Sequence, residues 1–232
     1  MYTKYKNQTY TDFEFIISDD WSTDKTKEKT KSYAKKDKRI VFLDNKINRW
    51  ITPNLIDCIN KAKWDYIAIM ESDYVSYPER FKLEIEVFEK DPKLYLVWWY
   101  WNIIDENWDR KYDWITIENF EEIKKRCIFE IPFNTPWIML KKELWMHFKY
   151  IEYPYLWDNG LYLNTIFSGK KCINIPNFII KKRELESSLF HRKYFKIQFQ
   201  HLLLRLSIAF KYKVYKNNIF IFFQIVRNEL MN

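Results

Sequence analysis

An apolar run that stops at two carboxylates is the feature that most limits what this chain can fold into. The run is Tyr-Ile-Ala-Ile-Met at residues 66–70, and Glu71 and Asp73 come after it. Pro78 then suits the first turn of a helix, because its fixed φ is already helical. A strand that ends this way places the carboxylates at the carboxyl edge of a sheet, where open α/β folds bind ligands. The stretch therefore predicts an α/β fold with an acidic site, and an acidic loop is the alternative.

Segments typical of strands and of helices alternate through the first part of the chain. The predicted strands span residues 13–18, 39–43 and 66–70. The predicted helices span about 24–36, 53–63 and 78–90. Alternation of this kind indicates a parallel sheet covered by helices. Further strands are predicted at 94–104 and 114–117, on either side of a turn at 105–108, and at 172–182.

Two motifs resemble those of the family-2 glycosyltransferases, which have the GT-A fold. Residues 7–24 contain Asn-Gln-Thr-Tyr and then a strand ending in Asp-Asp-Trp-Ser-Thr-Asp, which is similar to the N-Q-T-Y and D-D-G-S-T-D segments of that family. Residues 62–80 resemble its A-K-G-x-Y-I segment followed by D-x-D and P-x-R. The resemblance covers about residues 7–185. It implies a GT-A, Rossmann-like α/β domain with a mostly parallel sheet flanked by helices, and an inverting transferase that uses a nucleotide sugar.

The chain departs from the family pattern in three ways. Glu71 stands where the family has its first Asp and Tyr74 where it has a further acid, so Asp73 is the metal ligand that carries over. The sequence starts at the N-Q-T-Y motif, so the first strand and helix of the family are expected to be missing. Trp stands where the family has Gly. An inactive fragment or pseudo-enzyme, which binds nucleotide sugar or membrane without turnover, is therefore the alternative function.

The resemblance assigns roles to five residues at the donor side. Asp19 and Asp20 would contact the nucleotide base, ribose and diphosphate, with a helix-capping turn as their alternative role. Asp73 would bind Mg²⁺ or Mn²⁺, and Glu71 and Ser72 would lie near the donor sugar. The divalent cation would stabilise the charge that develops on the leaving diphosphate.

The resemblance also implies a general base at the start of a helix. The matching position is Asp158, whose alternative role is a helix N-cap. A base of this kind accelerates proton transfer by roughly 10²–10⁴-fold. The expected donor is a UDP-sugar or similar nucleotide sugar, and the expected acceptor is a hydroxyl of a cell-surface glycan or of its lipid carrier. Arg80 is expected to brace its helix against the acidic loop, and Arg49 to be solvated.

Positive charge is concentrated at the C-terminal end of the chain. Residues 170–232 contain 13 Lys and Arg and 3 acids, whereas residues 1–169 contain 26 and 28, for a total of +8. The predicted domains are therefore a glycosyltransferase domain at 1–185 and a basic amphipathic helical region at 186–232. The basic region, with its apolar faces, is typical of a helix on an anionic membrane, and packing on its own domain is the alternative. No motif indicates a nucleic-acid partner.

The cysteines indicate a reducing compartment. Cys58, Cys127 and Cys172 are scattered and form no Cys-x-x-Cys pair, which favours free thiols over disulfides or a zinc site. No signal peptide is visible, and no apolar run approaches the roughly 20 residues that span a bilayer. The predicted location is the cytoplasm, at the inner face of the membrane.

The ratio of tryptophan to glycine is unusual. The chain has eleven Trp and two Gly, whereas ordinary usage predicts roughly 16 Gly. Four of the Trp, at positions 21, 50, 64 and 108, stand in turn sequences where a residue without Cβ is expected. The hypothesis is that most of the Trp correspond to UGA codons that the native cell reads as glycine. The alternative is an aromatic surface that stacks on sugars.

Overall fold

The computed structural model describes residues 5–70, 74–129, 138–147, 156–183 and 194–214. Three of the predicted site residues, Glu71, Ser72 and Asp73, lie outside these ranges. The predicted domain boundary near residue 185 also lies outside them, so the two-domain division stays a prediction.

Strands and helices alternate along the described residues. The strands are β1 (Phe15–Asp19), β2 (Ile40–Asp44), β3 (Tyr66–Ala68), β4 (Tyr74–Ser76), β5 (Leu94–Ile104), β6 (Arg110–Trp114), β7 (Met139–Lys141) and β8 (Lys171–Arg183). The helices are α1 (Thr26–Lys36), α2 (Ile51–Lys61), α3 (Arg80–Lys90), α4 (Phe120–Arg126), α5 (Lys142–His147), α6 (Trp157–Phe167) and α7 (Tyr194–Lys211). The predicted α/β class is therefore confirmed.

The strands form two sheets, and the larger one is mixed. β1 pairs with β2, while the other strands follow the order β3-β7-β5-β8-β4 with β6 beside β5. In the described residues only the β1–β2 and β5–β8 pairs are parallel. The expectation of a mostly parallel sheet is thus wrong. One physical reason is the short connection 105–109 between β5 and β6, since a parallel neighbour needs a crossover of a dozen or so residues.

The turn between β5 and β6 lies at 105–108, as the sequence predicts, but the returning strand begins earlier than predicted. The Asp105 carboxylate accepts hydrogen bonds from the backbone N–H groups of Asn107 (2.8 Å) and Asp109 (2.9 Å). Trp108 adopts a φ of 73° inside this turn. The returning strand therefore begins at Arg110, whereas the predicted strand over 114–117 was placed too late.

The core forms around β5, which is buried along almost its whole length. On one side the N-terminal segment reaches this core through aromatic contacts. The ring centroids are 4.3 Å apart for Tyr5 and Phe15 and 5.2 Å apart for Phe13 and Phe81. These contacts pack β1 and the segment before it against α3 and the larger sheet.

A fully buried ion pair ties α3 to the sheet. The Nε of Arg80 donates to Oε1 of Glu84 at 3.1 Å, and the same oxygen accepts the indole N–H of Trp99 at 3.1 Å. Another guanidinium nitrogen of Arg80 donates to the carbonyls of Ile69 (3.5 Å) and Ile138 (3.4 Å). Burial raises the pKa of the Glu84 carboxyl, and the charge of Arg80 opposes that shift. Arg80 therefore braces α3 against the residue that follows β3, while the acidic loop against which it is expected to act lies outside the described residues.

Replacing Arg80 by Ala should lower the free energy of unfolding by about 3–5 kcal/mol, because the Glu84 carboxyl would stay buried without its cation. Urea denaturation measures the change. Lys82→Ala is the matched control, since Lys82 is exposed on the same helix and surface pairs contribute little. Equal effects of the two substitutions would contradict the importance of the buried pair.

Candidate functional site

The carboxyl ends of β1 and β2 meet at one edge of their sheet. The two strands are parallel, with Asp19 opposite Asp44, and the backbone N–H of Asn45 donates to the Asp19 carbonyl at 3.2 Å. The Asp19 side chain is buried, and its Oδ2 accepts from the backbone N–H of Ser22 at 3.1 Å. Asp19 thus closes the turn that leads towards α1, while lying at the edge where the sequence predicts a ligand site.

Asp20 connects the two turns at this edge. Its Oδ1 accepts from the backbone N–H of Arg49 at 2.7 Å, and its Oδ2 accepts from the backbone N–H of Trp50 at 2.9 Å. Hydrogen bonds to a charged acceptor are among the stronger ones in proteins. The carboxylate therefore holds the turn after β1 against the turn before α2.

A small network of amide side chains supports the turn before α2. The Nδ2 of Asn45 donates to Oγ of Ser18 at 3.1 Å and also to Oδ1 of Asn54. Asn54 in turn donates from Nδ2 to the backbone carbonyl of Trp50 at 2.8 Å. Sequence reasoning missed both asparagines. Asn45 could have been found, because it follows β2 directly and so lies at the same carboxyl edge as Asp19.

Lysines surround the carboxylate that ends β2. Asp44 forms ion pairs with Lys27, with Lys31 at 3.2 Å and with Lys46 at 3.0 Å. Hydrogen bonds from Lys27 and then Lys46 hold the pKa of the Asp44 carboxyl well below its usual range. The three lysines concentrate positive charge on the Asp44 side of this edge, while Asp19 and Asp20 carry the negative charge beside it.

The two arginines considered from the sequence have different roles. Arg80 is internal, as described above. The guanidinium of Arg49 pairs with the carboxylate of Asp57, and both side chains are about two-fifths exposed, at 38% and 41%. Arg49 is therefore bound to a neighbouring carboxylate at the surface, and its backbone rather than its side chain contacts Asp20.

Asp158 lies in the first turn of α6. The helix begins at Trp157, and the flanking N-cap residue is Leu156, whose side chain makes no capping hydrogen bond. Oδ1 of Asp158 accepts from the backbone N–H of Asn159 at 2.8 Å. The predicted base is therefore inside the helix rather than at its cap. A carboxylate in a first helical turn is favoured by the helix dipole.

The predicted metal ligand cannot be located among these contacts. Within the described ranges, no group of three or more His, Cys, Asp and Glu side chains is arranged to hold a metal ion. Asp73, with Glu71 and Ser72, falls in the gap between Met70 and Tyr74. The metal site therefore stays a prediction.

Comparison of the sequence with known proteins identifies related chains. The sequence model described as Glycosyl transferase family 2 matches residues 2–146. An uncharacterized glycosyltransferase of Methanocaldococcus jannaschii is 32% identical over 186 residues, which cover 76% of this chain and 62% of that protein. The chain thus spans less than two thirds of the length of this relative.

Solved structures share the fold at low sequence identity. TarS 1–349 of S. aureus in complex with UDP has a TM-score of 0.66 at 11% identity, covering 88% of this chain and 60% of that one. The mannosyltransferase PcManGT of Pyrobaculum calidifontis, in complex with GDP-Man and Mn²⁺, has a TM-score of 0.63 at 13% identity, covering 98% and 68%. These similarities confirm the predicted GT-A fold.

Replacing Asp20 by Ala should release the two turns from each other. The loss of two hydrogen bonds to a half-buried carboxylate should lower the free energy of unfolding by about 1–3 kcal/mol. Amide hydrogen exchange at residues 49 and 50 should become faster, which is the more specific measurement. Asp12→Ala is the control, because Asp12 is exposed just before β1. Unchanged exchange at 49 and 50 would show that Asp20 does not hold this turn.

Proposed function

Because this chain belongs to glycosyl transferase family 2, we propose that it transfers a sugar from a UDP-sugar or similar nucleotide sugar to a hydroxyl group. Transfer takes place with inversion at the anomeric carbon. The acceptor is a cell-surface glycan or a lipid-linked precursor of a surface polysaccharide. The observation that carries the proposal is the edge at which Asp19 ends β1 and Asp20 follows it, beside the turn that follows β2.

The nucleotide binds at this edge. A carboxylate offers about four acceptor positions, and the contacts above occupy one position on each oxygen of Asp20. Asp20 can therefore still accept from a ribose hydroxyl or a base N–H. The lysines around Asp44 supply positive potential for the diphosphate. Solved neighbours of the same fold contain UDP and GDP-Man, which is consistent with a nucleotide-sugar donor.

Asp73 binds a divalent cation, with Glu71 and Ser72 beside the donor sugar. Carboxylate oxygens are the hard ligands that Mg²⁺ and Mn²⁺ prefer, so the residue types at 71 and 73 fit such an ion. When bound, the cation supplies positive charge that stabilises the leaving diphosphate. The PcManGT structure contains Mn²⁺.

Asp158 acts as the general base. It takes the proton from the acceptor hydroxyl as that oxygen forms a bond to the anomeric carbon. The bond between the anomeric carbon and the diphosphate oxygen breaks on the opposite side, so the configuration inverts. A carboxylate fixed in the first turn of α6 suits this role, because a helix holds its position relative to the core.

Replacing Asp158 by Asn should lower kcat by roughly 10²–10⁴-fold, because the amide cannot accept the proton. The affinity for UDP, measured by calorimetry with Mn²⁺, should not change. Transfer from a panel of UDP- and GDP-sugars to a lipid-linked acceptor provides the assay, and chelation of Mn²⁺ should abolish transfer. Asp12→Ala serves as the control.

Two outcomes would contradict this mechanism. If Asp158→Asn retains full turnover, another group is the base. If the full chain binds the donor but transfers nothing from any sugar, the protein is the pseudo-enzyme that the sequence left as the alternative.

The C-terminal helix provides a surface for contact with an anionic membrane. One face of α7 joins the core through Ile197, Leu204 and Ile208. Phe199, Leu203 and Phe210 are exposed, and their spacing places them on one stripe of the helix. No helix in the described part of the chain is long and apolar enough to cross a bilayer. An exposed apolar stripe in a basic region is typical of a helix that lies in a lipid interface.

Replacing Phe199 and Leu203 together by Ser should weaken binding to vesicles rich in phosphatidylserine by at least about tenfold, since burying even part of two large apolar side chains contributes more than about 1.4 kcal/mol. Co-sedimentation measures the change. Ile115→Ser is the control, because Ile115 lies outside α7 and is at least as exposed as Phe199 and Leu203. The contact would be refuted if the protein bound neutral vesicles as tightly as vesicles rich in phosphatidylserine. It would also be refuted if the double substitution had no effect on binding.

A further inference from the structure

Three tryptophans have a backbone conformation that L-residues with large side chains rarely adopt. The φ angles are 68° for Trp21, 68° for Trp50 and 73° for Trp108. Among the described non-glycine residues, Lys213 alone joins them, with a φ of 55°. A positive φ brings Cβ of an L-residue close to the neighbouring carbonyl oxygen, and glycine avoids this contact.

Trp50 is the extreme case. Its φ of 68° and ψ of 171° fall in a region that is essentially restricted to glycine. Its backbone cannot relax easily, because its N–H donates to Asp20 at 2.9 Å and its carbonyl accepts from Asn54 at 2.8 Å. The turn therefore imposes the strained conformation on whatever residue occupies position 50.

The three indole rings are about half exposed or more, so they bury only part of their apolar surface. The exposed fractions are 58% for Trp21, 65% for Trp50 and 46% for Trp108. The Trp108 ring lies 5.5 Å from the Arg183 guanidinium, and a cation–π contact at the surface is weak. Trp99 behaves differently, since its ring is fully buried and its N–H donates to Glu84.

We infer that the functional form of this protein carries glycine at positions 21, 50 and 108. The whole chain has eleven Trp and two Gly, so glycine is scarce even though these turns need it. The corresponding codons would be read as glycine in the native cell. Trp64 is outside this set, because it is exposed to a similar degree but does not have a positive φ. The sign of φ thus distinguishes Trp64 from the other three tryptophans at predicted turn positions.

The inference has a consequence for the donor site, which rests on the proposed function. Positions 21 and 50 lie in the two turns that Asp20 joins, one directly after Asp20 in sequence and one hydrogen-bonded to it. Glycine at both positions removes two exposed indoles from the surroundings of the carboxylate. It also lets a ligand approach the backbone of both turns closely.

Thermal unfolding of Trp→Gly variants tests the requirement for glycine without any ligand. Trp21→Gly, Trp50→Gly and Trp108→Gly should each raise Tm by about 2–4 °C, the shift expected for roughly one kcal/mol of relieved strain in a chain of this size. Trp64→Gly is the matched control and should give no gain. Trp99→Gly should lower Tm, because it opens a cavity and leaves the Glu84 carboxyl with one donor fewer.

Peptide mass spectrometry of the protein from its own cells tests the identity of the three residues directly. Glycine at all three positions supports the inference, and tryptophan at these positions overturns it. A triple variant that melts no higher than the parent also overturns it.

Titration of the triple variant with UDP and Mn²⁺ separates the inference from the proposed function. A higher Tm together with tighter UDP binding supports both. A higher Tm with no UDP binding supports glycine at these positions and counts against the donor site.

Discussion

A guanidinium group shielded from water links the central parts of this fold. Arg80 connects α3 to the backbone carbonyls of residues 69 and 138, and its partner Glu84 also binds the indole N–H of Trp99 in the central strand β5. Burying a charge is costly unless it is paired and hydrogen-bonded, so removing either member of this ion pair leaves a buried charge behind. Residue 69, which leads from β3 towards the acidic segment, is thereby held against the same core as α3 and β5.

Local patterns in the sequence determined how much of the fold could be predicted. The strand over 94–104 has the predicted bounds, because a long apolar run bounded by Asp91-Pro92 and Asp105 allows few other interpretations. The strand after it was placed too late, because the Asp105 carboxylate and the backbone at Trp108 set the turn rather than any alternation of apolar residues. The mixed sheet could not be predicted, since the antiparallel partners of β3 and β4 are β7 and β8, which are distant in sequence.

The candidate site was predictable where it follows strand ends and not where it depends on contacts between turns. Asp19 and Asp20 could be identified because Asp19 ends an apolar strand and Asp20 follows it. Asn54 could not, because its role appears only when the turn at 49–50 is folded against Asp20. Asp20 therefore holds together the two turns of the candidate site. Its carboxylate is committed to backbone donors before any ligand arrives, so this part of the site is organised by the fold itself.

Hydrogen bonds fix α6 and α7 to each other. Near the end of α7, Lys211 and the following Tyr212 both bind the side-chain oxygen of Asn164 on α6, at 2.7 Å and 3.0 Å. Asp158 lies six residues earlier on the same helix, a rise of about 9 Å along its axis. If α7 rests on a lipid surface, as proposed, the contact at Asn164 ties α6, and with it the proposed base, to the helix on that surface.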